Sequence, residues 1–197
     1  MEPVRARPSH REPLVRSGDE VRALNLYSGS KVPGVASSAS LRIVQATEQD
    51  VPQILQFIRE LAAFEKLLDR VEASEERLRK TIFGPGAYAS AVFAYTADKP
   101  VGFALFFYTY STFVGLPGLY LEDLYVTPEA RGKGVGRALL RYLAKLAKEK
   151  GCWRIEWAVL NWNEAAIRFY QSLGAVPMDE WAVYRLYGES LDLLAAE

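Results

Sequence analysis

The sequence predicts an α/β protein with a mixed central β-sheet that is covered by helices on both faces. The period of the apolar residues switches between two and 3.6 along the chain, which gives the order β-α-α-β-β-β-α-β-α-β. In the middle of that order, a strand rich in aromatic, Leu and Val residues leads through a glycine-rich turn into an amphipathic helix. With 197 residues, 50% of them hydrophobic, the chain is long enough for one domain with a substantial core.

Residues 1–40 differ in composition from the rest, and we expect them to be a disordered tail that precedes a folded domain over 41–197. They contain four of the ten prolines and show no apolar periodicity. They also lack the apolar segment of a secretory signal. A mitochondrial-type presequence is a second interpretation, which the acidic residues of the tail disfavour.

Local signals mark the ends of the predicted elements. Thr47 and Asp50 have the spacing of a capping pair, and Pro52 then occupies a first helical turn, where its missing amide does no harm. Ser74 begins a second helix, and Gly174 follows the last one at a typical C-cap position. We predict strands over 41–46, 88–96, 101–110, 119–126, 153–159 and 182–187, and helices over 48–64, 75–83, 137–150 and 163–173.

Charge and cysteine content exclude several classes of protein. The 24 basic residues balance the 24 acidic ones, so nothing marks a surface for nucleic acid or for an anionic membrane. Cys152 is the only cysteine, which excludes an internal disulfide, and the only histidine, His10, lies in the tail. We expect a metal-free, cytoplasmic protein that binds neither nucleic acid nor membrane.

The loop Arg131-Gly-Lys-Gly-Val-Gly136 joins the central strand to the following helix. Alternating glycines remove the Cβ atoms that would hold a ligand away from the backbone. The first amides of a helix have no partner within the helix, and the helix dipole favours negative charge there. The loop therefore predicts a phosphate-binding turn, although its spacing is neither that of a dinucleotide fingerprint nor that of a P-loop. Considered alone, a purely structural turn is an alternative.

With its leading arginine, this loop resembles the Arg/Gln-x-x-Gly-x-Gly/Ala signature of the GCN5-related N-acetyltransferase (GNAT) superfamily. Segments 120–126, 156–164 and 169–175 resemble the diamine (spermidine/spermine) and thialysine acetyltransferase branch, and the resemblance covers roughly residues 41–190. It implies the GNAT fold, acetyl-CoA as co-substrate and no metal. It also implies direct transfer of an acetyl group to a small primary amine, in a homodimer whose subunits share the acceptor sites.

The resemblance assigns one group of residues to acetyl-CoA. Arg131 and Lys133 supply charge for the phosphates, and the pantetheine arm pairs like an extra strand with the end of the central strand. Asn163 is either the N-cap of its helix or a cofactor contact, and one residue can serve both purposes. The full set is Leu124, Tyr125, Val126, Arg131, Gly132, Lys133, Gly134, Val135, Gly136, Arg137, Asn163, Glu164, Ala165, Ala166 and Tyr170.

A second group is assigned to the chemistry and to the acceptor. Tyr170 matches the general acid, because a phenol is protonated at neutral pH and can donate to a thiolate. The residues alone favour a core aromatic at this position. Glu122 lies mid-strand, where a carboxylate needs a cavity or a partner, and it matches the group that takes the amine proton, directly or through water. Strict alternation would turn Asp123 to the opposite face. The acceptor residues are Phe64, Glu65, Glu122, Glu156, Trp157, Ala158 and Asp179, with Glu180 and Trp181 as further walls.

Two departures from the branch bear on the acceptor. Ser111 stands where spermidine/spermine enzymes carry an aspartate, and Phe113 stands where they carry a tryptophan. Fewer acids favour a shorter amine, such as thialysine, lysine or a diamine. Two alternatives remain: acetylation of a protein N-terminus or lysine, which predicts an open, less acidic groove, and a non-catalytic CoA-binding module, which the presence of both Glu122 and Tyr170 disfavours.

Overall fold

A five-stranded mixed sheet forms the centre of the part of the chain that the computed structural model describes, residues 40–197. Its strands lie side by side in chain order. The first four pair antiparallel, and the last is parallel to its neighbour. The strands are β1 (Leu41–Gln45), β2 (Ser90–Thr96), β3 (Lys99–Ser111), β4 (Leu116–Val126) and β5 (Ile155–Trp157).

Helices cover both faces of this sheet, which confirms the predicted fold class. On one face, α1 buries Ile54 and Phe57 against Phe93 and Phe103 of the sheet. On the other, α3 packs its apolar stripe against β4, and Phe169 of α4 and Leu173, just beyond its end, add to that core. The helices are α1 (Val51–Phe64), α2 (Glu75–Leu78, continued as a π-helical turn Arg79–Phe83), α3 (Val135–Glu149), α4 (Glu164–Gln171) and α5 (Glu189–Ala195).

A β-bulge interrupts β4 at Glu122. Leu105 of β3 pairs with Asp123 and Phe106 pairs with Leu121, so Glu122 has no partner of its own. An extra residue shifts the alternation of a strand by one position. Leu121 therefore faces the α3 core and Tyr125 the α1 core, with Glu122 and Asp123 both on the α1 side between them. The expectation that Asp123 points away from Glu122 is wrong, because it assumed unbroken alternation.

Strands β4 and β5 stay paired over three residues only. The pairs join Leu119–Ile155, Tyr120–Glu156 and Leu121–Trp157, and beyond Leu121 the two strands diverge. The strand predicted over 153–159 is accordingly shorter than expected. The divergence leaves one edge of the second half of β4 free, and it is here that the main cleft opens.

The C-terminal segment departs from its prediction. Residues 182–187 do not form the expected strand, and α5, which was not predicted, follows them. The alternating pattern is present, but no strand within residues 40–197 pairs with it. The side chains of Trp181, Val183 and Tyr184 are consequently 69%, 91% and 93% exposed.

The N-terminal tail predicted over residues 1–40 lies outside the described residues, apart from its last position, and stays a prediction. Between residues 40 and 197, no helix is both long enough and apolar enough to cross a lipid bilayer.

Candidate active site

A cleft of about 780 Å³ lies where β4 and β5 diverge. Its walls are the end of α1, the second half of β4, the glycine loop with the start of α3, and the segment from Trp157 into α4. It brings together these sequence-predicted site residues: Phe64, Glu65, Glu122, Leu124, Tyr125, Val126, Arg131, Gly132, Gly134, Val135, Gly136, Arg137, Trp157, Ala158, Asn163, Ala165, Ala166 and Tyr170.

Six residues assigned to the site do not line this cleft, among them Glu180 and Trp181, which are exposed in the C-terminal segment. Lys133 is exposed within the glycine loop. Glu164 is exposed and accepts a hydrogen bond from Arg168 at 3.0 Å, one helical turn further on. Glu156 forms an ion pair with Arg154. Asp179 is exposed in the C-terminal segment, so within its own chain it is not an acceptor contact.

The glycine loop and the start of α3 have the properties of an anion site. Gly132 and Gly134 adopt φ values of +73° and +82°, which L side chains rarely tolerate. Gly134 is the N-cap of α3 and has no side chain that could cap the first amides. Val135, Gly136 and Arg137, whose amides begin the helix, all line the cleft. These residues fit a pyrophosphate, which would accept hydrogen bonds from free amides at the positive end of the helix.

Arg131 lines the cleft, and its guanidinium is held by groups of the chain itself. Its Nε donates a hydrogen bond of 3.0 Å to the carbonyl oxygen of Val126. Its guanidinium carbon lies 4.9 Å from the ring centre of Phe64 and 5.9 Å from that of Tyr125. The guanidinium is thus turned towards α1 and β4.

Three carboxyl groups meet on the α1 side of the cleft: Glu65, Glu122 and Asp123. Burial raises the pKa of Asp123 to about 6, and the charges of Glu122 and Glu65 add to the shift. Burial also raises the pKa of Glu65. Carboxyl groups that repel each other in a partly buried site favour a cationic ligand. Asp123 was missed as a site residue, and the signal that could have revealed it is two consecutive carboxylates in mid-strand, which a bulge turns to one side.

The end of α1 fixes Phe64 and Glu65 beside this cluster. The amide of Leu67 donates to the carbonyl of Ala62 at 2.8 Å, and that of Lys66 donates to Ala63 at 3.2 Å. This is the Schellman pattern of a helix C-terminus. Lys66 adopts φ +61° at the position that glycine usually occupies. The chain therefore turns sharply after Glu65, and the carboxyl group stays at the cleft.

Tyr170 reaches the same cleft from α4. Its ring centre lies 4.9 Å from that of Trp157, which holds the phenol against β5. Burial raises the pKa of Tyr170, and the charge of Glu65 raises it further. The phenol is therefore protonated at neutral pH and can act as a proton donor. Tyr170 therefore both packs on the core and reaches the cleft, two roles that the sequence presented as alternatives.

Asn163 caps the same helix. Its Oδ1 accepts a hydrogen bond of 3.2 Å from the amide of Ala166, and its side chain also borders the cleft. Between residues 40 and 197, no group of three His, Cys, Asp or Glu side chains is arranged to hold a metal ion.

The family model described as "Acetyltransferase (GNAT) family" matches residues 55–175. The thialysine N-epsilon-acetyltransferase of Sus scrofa is 40% identical over 170 residues, which cover 81% of this chain and 99% of the relative. That of Caenorhabditis elegans is 38% identical over 161 residues, which cover 80% and 99%. Among solved structures, an integron cassette protein from the mobile metagenome of V. cholerae superposes with a TM-score of 0.69 and 29% identity, over 80% of this chain and 99% of that one.

Proposed function

The chain belongs to the GNAT family of acetyltransferases, as its sequence predicted, and we propose that this N-acetyltransferase acts on a primary amine of a small cationic acceptor. The observation that carries the proposal is the acidic wall formed by Glu65, Glu122 and Asp123, in the same cleft as the phenol of Tyr170. A cation is attracted to this wall, and a proton acceptor and a proton donor lie on two sides of the cleft.

Acetyl-CoA, the co-substrate that the family uses, would supply the thioester carbonyl that the amine attacks. The residues that fit it are the free amides at the start of α3, with Arg137 as a positive charge and the side chain of Asn163 at the opposite wall. The free edge of β4 over Leu124, Tyr125 and Val126 offers backbone groups to an extended arm. Glu122 and Tyr170 line the same cleft, so they would be available to the reactive end of a ligand held in this way.

The chain moves two protons in this proposal. An alkyl amine is protonated at neutral pH and must lose a proton before it can attack. The carboxylate of Glu122 accepts that proton, directly or through a water molecule. The Oη of Tyr170 donates its own proton to the departing thiolate, since burial keeps the phenol protonated.

A short amine such as thialysine, lysine or a diamine is the acceptor that we propose. The two departures from the spermidine/spermine pattern, Ser111 and Phe113, do not line the cleft of their own chain, so they do not define the acceptor there. The carboxyl groups that do line it, Glu65, Glu122 and Asp123, all lie on its α1 side, which suits an amine with its charge at one end. The similarity to thialysine acetyltransferases supports the same choice.

We further propose that two copies of the chain assemble into a homodimer through their C-terminal segments. Within residues 40–197, β5 has a neighbour on one side only, while the apolar segment 181–187 has no strand partner. Each copy thus offers a free sheet edge and a segment with strand periodicity. In a closed twofold dimer, the segment of each copy would pair with the free sheet edge of the other. The arrangement would also give Asp179 a place near the acceptor site of the partner.

Light scattering after gel filtration tests the dimer. The full chain should elute with the mass of two copies, and Val183→Asp should shift it towards the monomer. Phe113→Asp, at an equally exposed position outside the segment, should leave the mass unchanged. A monomeric full chain at every concentration would refute this part of the proposal.

A free-thiol assay with acetyl-CoA tests the activity. Thialysine, lysine, putrescine, spermidine, spermine and peptide N-termini are compared as acceptors. We expect turnover of a small amine, with kcat reduced by roughly 100-fold or more in Tyr170→Phe and in Glu122→Gln. Tyr88→Phe, which removes an exposed phenol elsewhere, is the matched control. If only peptides are acetylated, the acceptor is a protein and the small-amine proposal is wrong. If no amine is acetylated, the proposed activity is contradicted.

A further inference from the structure

We propose that Arg131 is a positioning residue that couples the acetyl-CoA loop to the acceptor wall by stacking its guanidinium against Phe64 and Tyr125. This inference rests on the proposed function, because it assigns the two sides of the cleft to the two substrates. It differs from the role that the resemblance implied for this arginine, a charge offered to the phosphates.

The guanidinium is held by groups from two different elements. The hydrogen bond from Nε to the carbonyl oxygen of Val126, 3.0 Å long, fixes it at the end of β4. The ring centre of Phe64, in the last turn of α1, lies 4.9 Å from its Cζ, and that of Tyr125, in β4, lies 5.9 Å away. Both distances are within the range of cation–π contacts.

These contacts continue on both sides of Arg131. The ring centre of Phe64 lies 5.8 Å from that of Trp162, in the turn that leads into α4. Tyr125 is buried, and burial together with the neighbouring Glu60, a further residue of α1, raises the pKa of its phenol. Arg131 therefore stands between α1, β4 and the turn before α4, and all three border the cleft.

The position of Arg131 in the chain transmits this constraint to the loop. Gly132 follows directly with φ +73° and begins the turn whose amides are offered to the phosphates. Fixing the Arg131 side chain therefore fixes the residue from which that turn starts. On the other side, Phe64 precedes Glu65 of the acidic wall, so an acceptor that orders this wall also orders the aromatic face on which Arg131 stacks.

A lysine could perform only part of this role. Its ammonium keeps the positive charge and can lie over an aromatic ring, but it has neither a planar face that stacks nor an Nε–H donor for the carbonyl oxygen of Val126. Substitution by lysine thus separates the planar stacking contact and the Nε hydrogen bond from the charge. Replacement of Phe64 by leucine removes the same contact from the other side, and Phe64→Tyr restores an aromatic face.

The test is a double-mutant cycle on CoA affinity, measured by calorimetry on the full chain. Arg131→Lys and Phe64→Leu should each weaken binding by roughly 3- to 30-fold, the range expected when a stacked guanidinium–aromatic contact is lost. The double variant should be no weaker than the weaker single variant, and Phe64→Tyr should retain the affinity of the wild type. Arg137→Lys, which makes the same charge-conserving exchange in the first turn of α3, should combine additively with Phe64→Leu.

Strict additivity of Arg131→Lys with Phe64→Leu, or unchanged affinity in Phe64→Leu, would overturn the inference. Thermal melts of each variant identify any loss of folding. If Arg131→Lys does not fold, the CoA affinities of Phe64→Leu and Phe64→Tyr, at a position 40% exposed, still test the aromatic contact. The cycle needs no turnover. A coupling found in a chain that acetylates no amine would therefore refute the proposed function alone.

Discussion

The carboxyl group of Asp123 should destabilise the fold at neutral pH, and Asp123→Asn should remove that cost. Its pKa rises from 3.8 to about 6 because the side chain is buried beside Glu122 and Glu65. In the unfolded chain this group releases its proton near pH 4, whereas in the folded chain it does so near pH 6. The folded state thus binds the extra proton in this window, and the free energy of unfolding falls as the pH rises through it.

The size of the effect follows from the shift. About two pKa units, at about 1.36 kcal/mol per unit, correspond to an upper value of about 3 kcal/mol. Urea unfolding at about pH 4 and about pH 8 gives the free energy of unfolding of the variant and of the wild type. The difference between the two proteins at each pH measures the effect, because the other titrating groups are common to both and cancel. Asp123→Asn should gain stability at the higher pH only. Asp69→Asn, at an exposed position, should show no such difference between the two pH values.

The reasoning would be refuted if Asp123→Asn were equally stable relative to the wild type at both pH values, or less stable at the higher one. Either result would mean that Asp123 does not lie in the acidic cluster, and that the bulge at Glu122 does not turn both carboxylates to one side. A small cationic amine should reduce the difference, because it lowers the cost of the ionised carboxylate.

Three further predictions concern the backbone around the site. Gly102→Ala should lower the free energy of unfolding by roughly 1–3 kcal/mol in urea titrations, because a Cβ would lie 2.7 Å from the carbonyl oxygen of Tyr125; wild-type stability would show that the strands can separate without cost. Lys66→Gly should stabilise the fold by up to about 1 kcal/mol in thermal melts, since it relieves a left-handed conformation at the end of α1; a lower melting temperature would contradict this. Asn163→Ala should lower the free energy of unfolding by about 1 kcal/mol, because the cap of α4 is lost, whereas Asn163→Asp should keep most of the wild-type stability; equal losses in the two variants would exclude the cap as the cause.

Features that depend on neighbouring residues in the chain were predictable from the sequence. The capping pair before α1 is one case, because the amide of Thr47 donates to Asp50 at 2.8 Å across the short 3-10 turn that leads into the helix. The strand, glycine loop and helix around Arg131 are another, since apolar period and glycine spacing are local signals. The fold class followed from the order of such elements.

Features that depend on pairing across the sheet were not predictable in the same way. The side on which Asp123 lies is set by the register of β4 against β3. The two consecutive carboxylates mark the position as unusual, but they do not fix that register. The strand expected over 182–187 needs a partner, and the pattern of one segment does not supply it. The stacking of Arg131 on Phe64 likewise joins residues that only the folded chain brings together.

The most direct test of the central claim is to identify the product by mass spectrometry. Purified protein is incubated with acetyl-CoA and thialysine, with lysine and putrescine as parallel acceptors, and the products are fragmented to locate the modification. We expect a single added acetyl group on a side-chain or terminal primary amine, and loss of that product in Tyr170→Phe. An unmodified acceptor in the presence of bound acetyl-CoA, or a product that forms equally well with Tyr170→Phe, would contradict it.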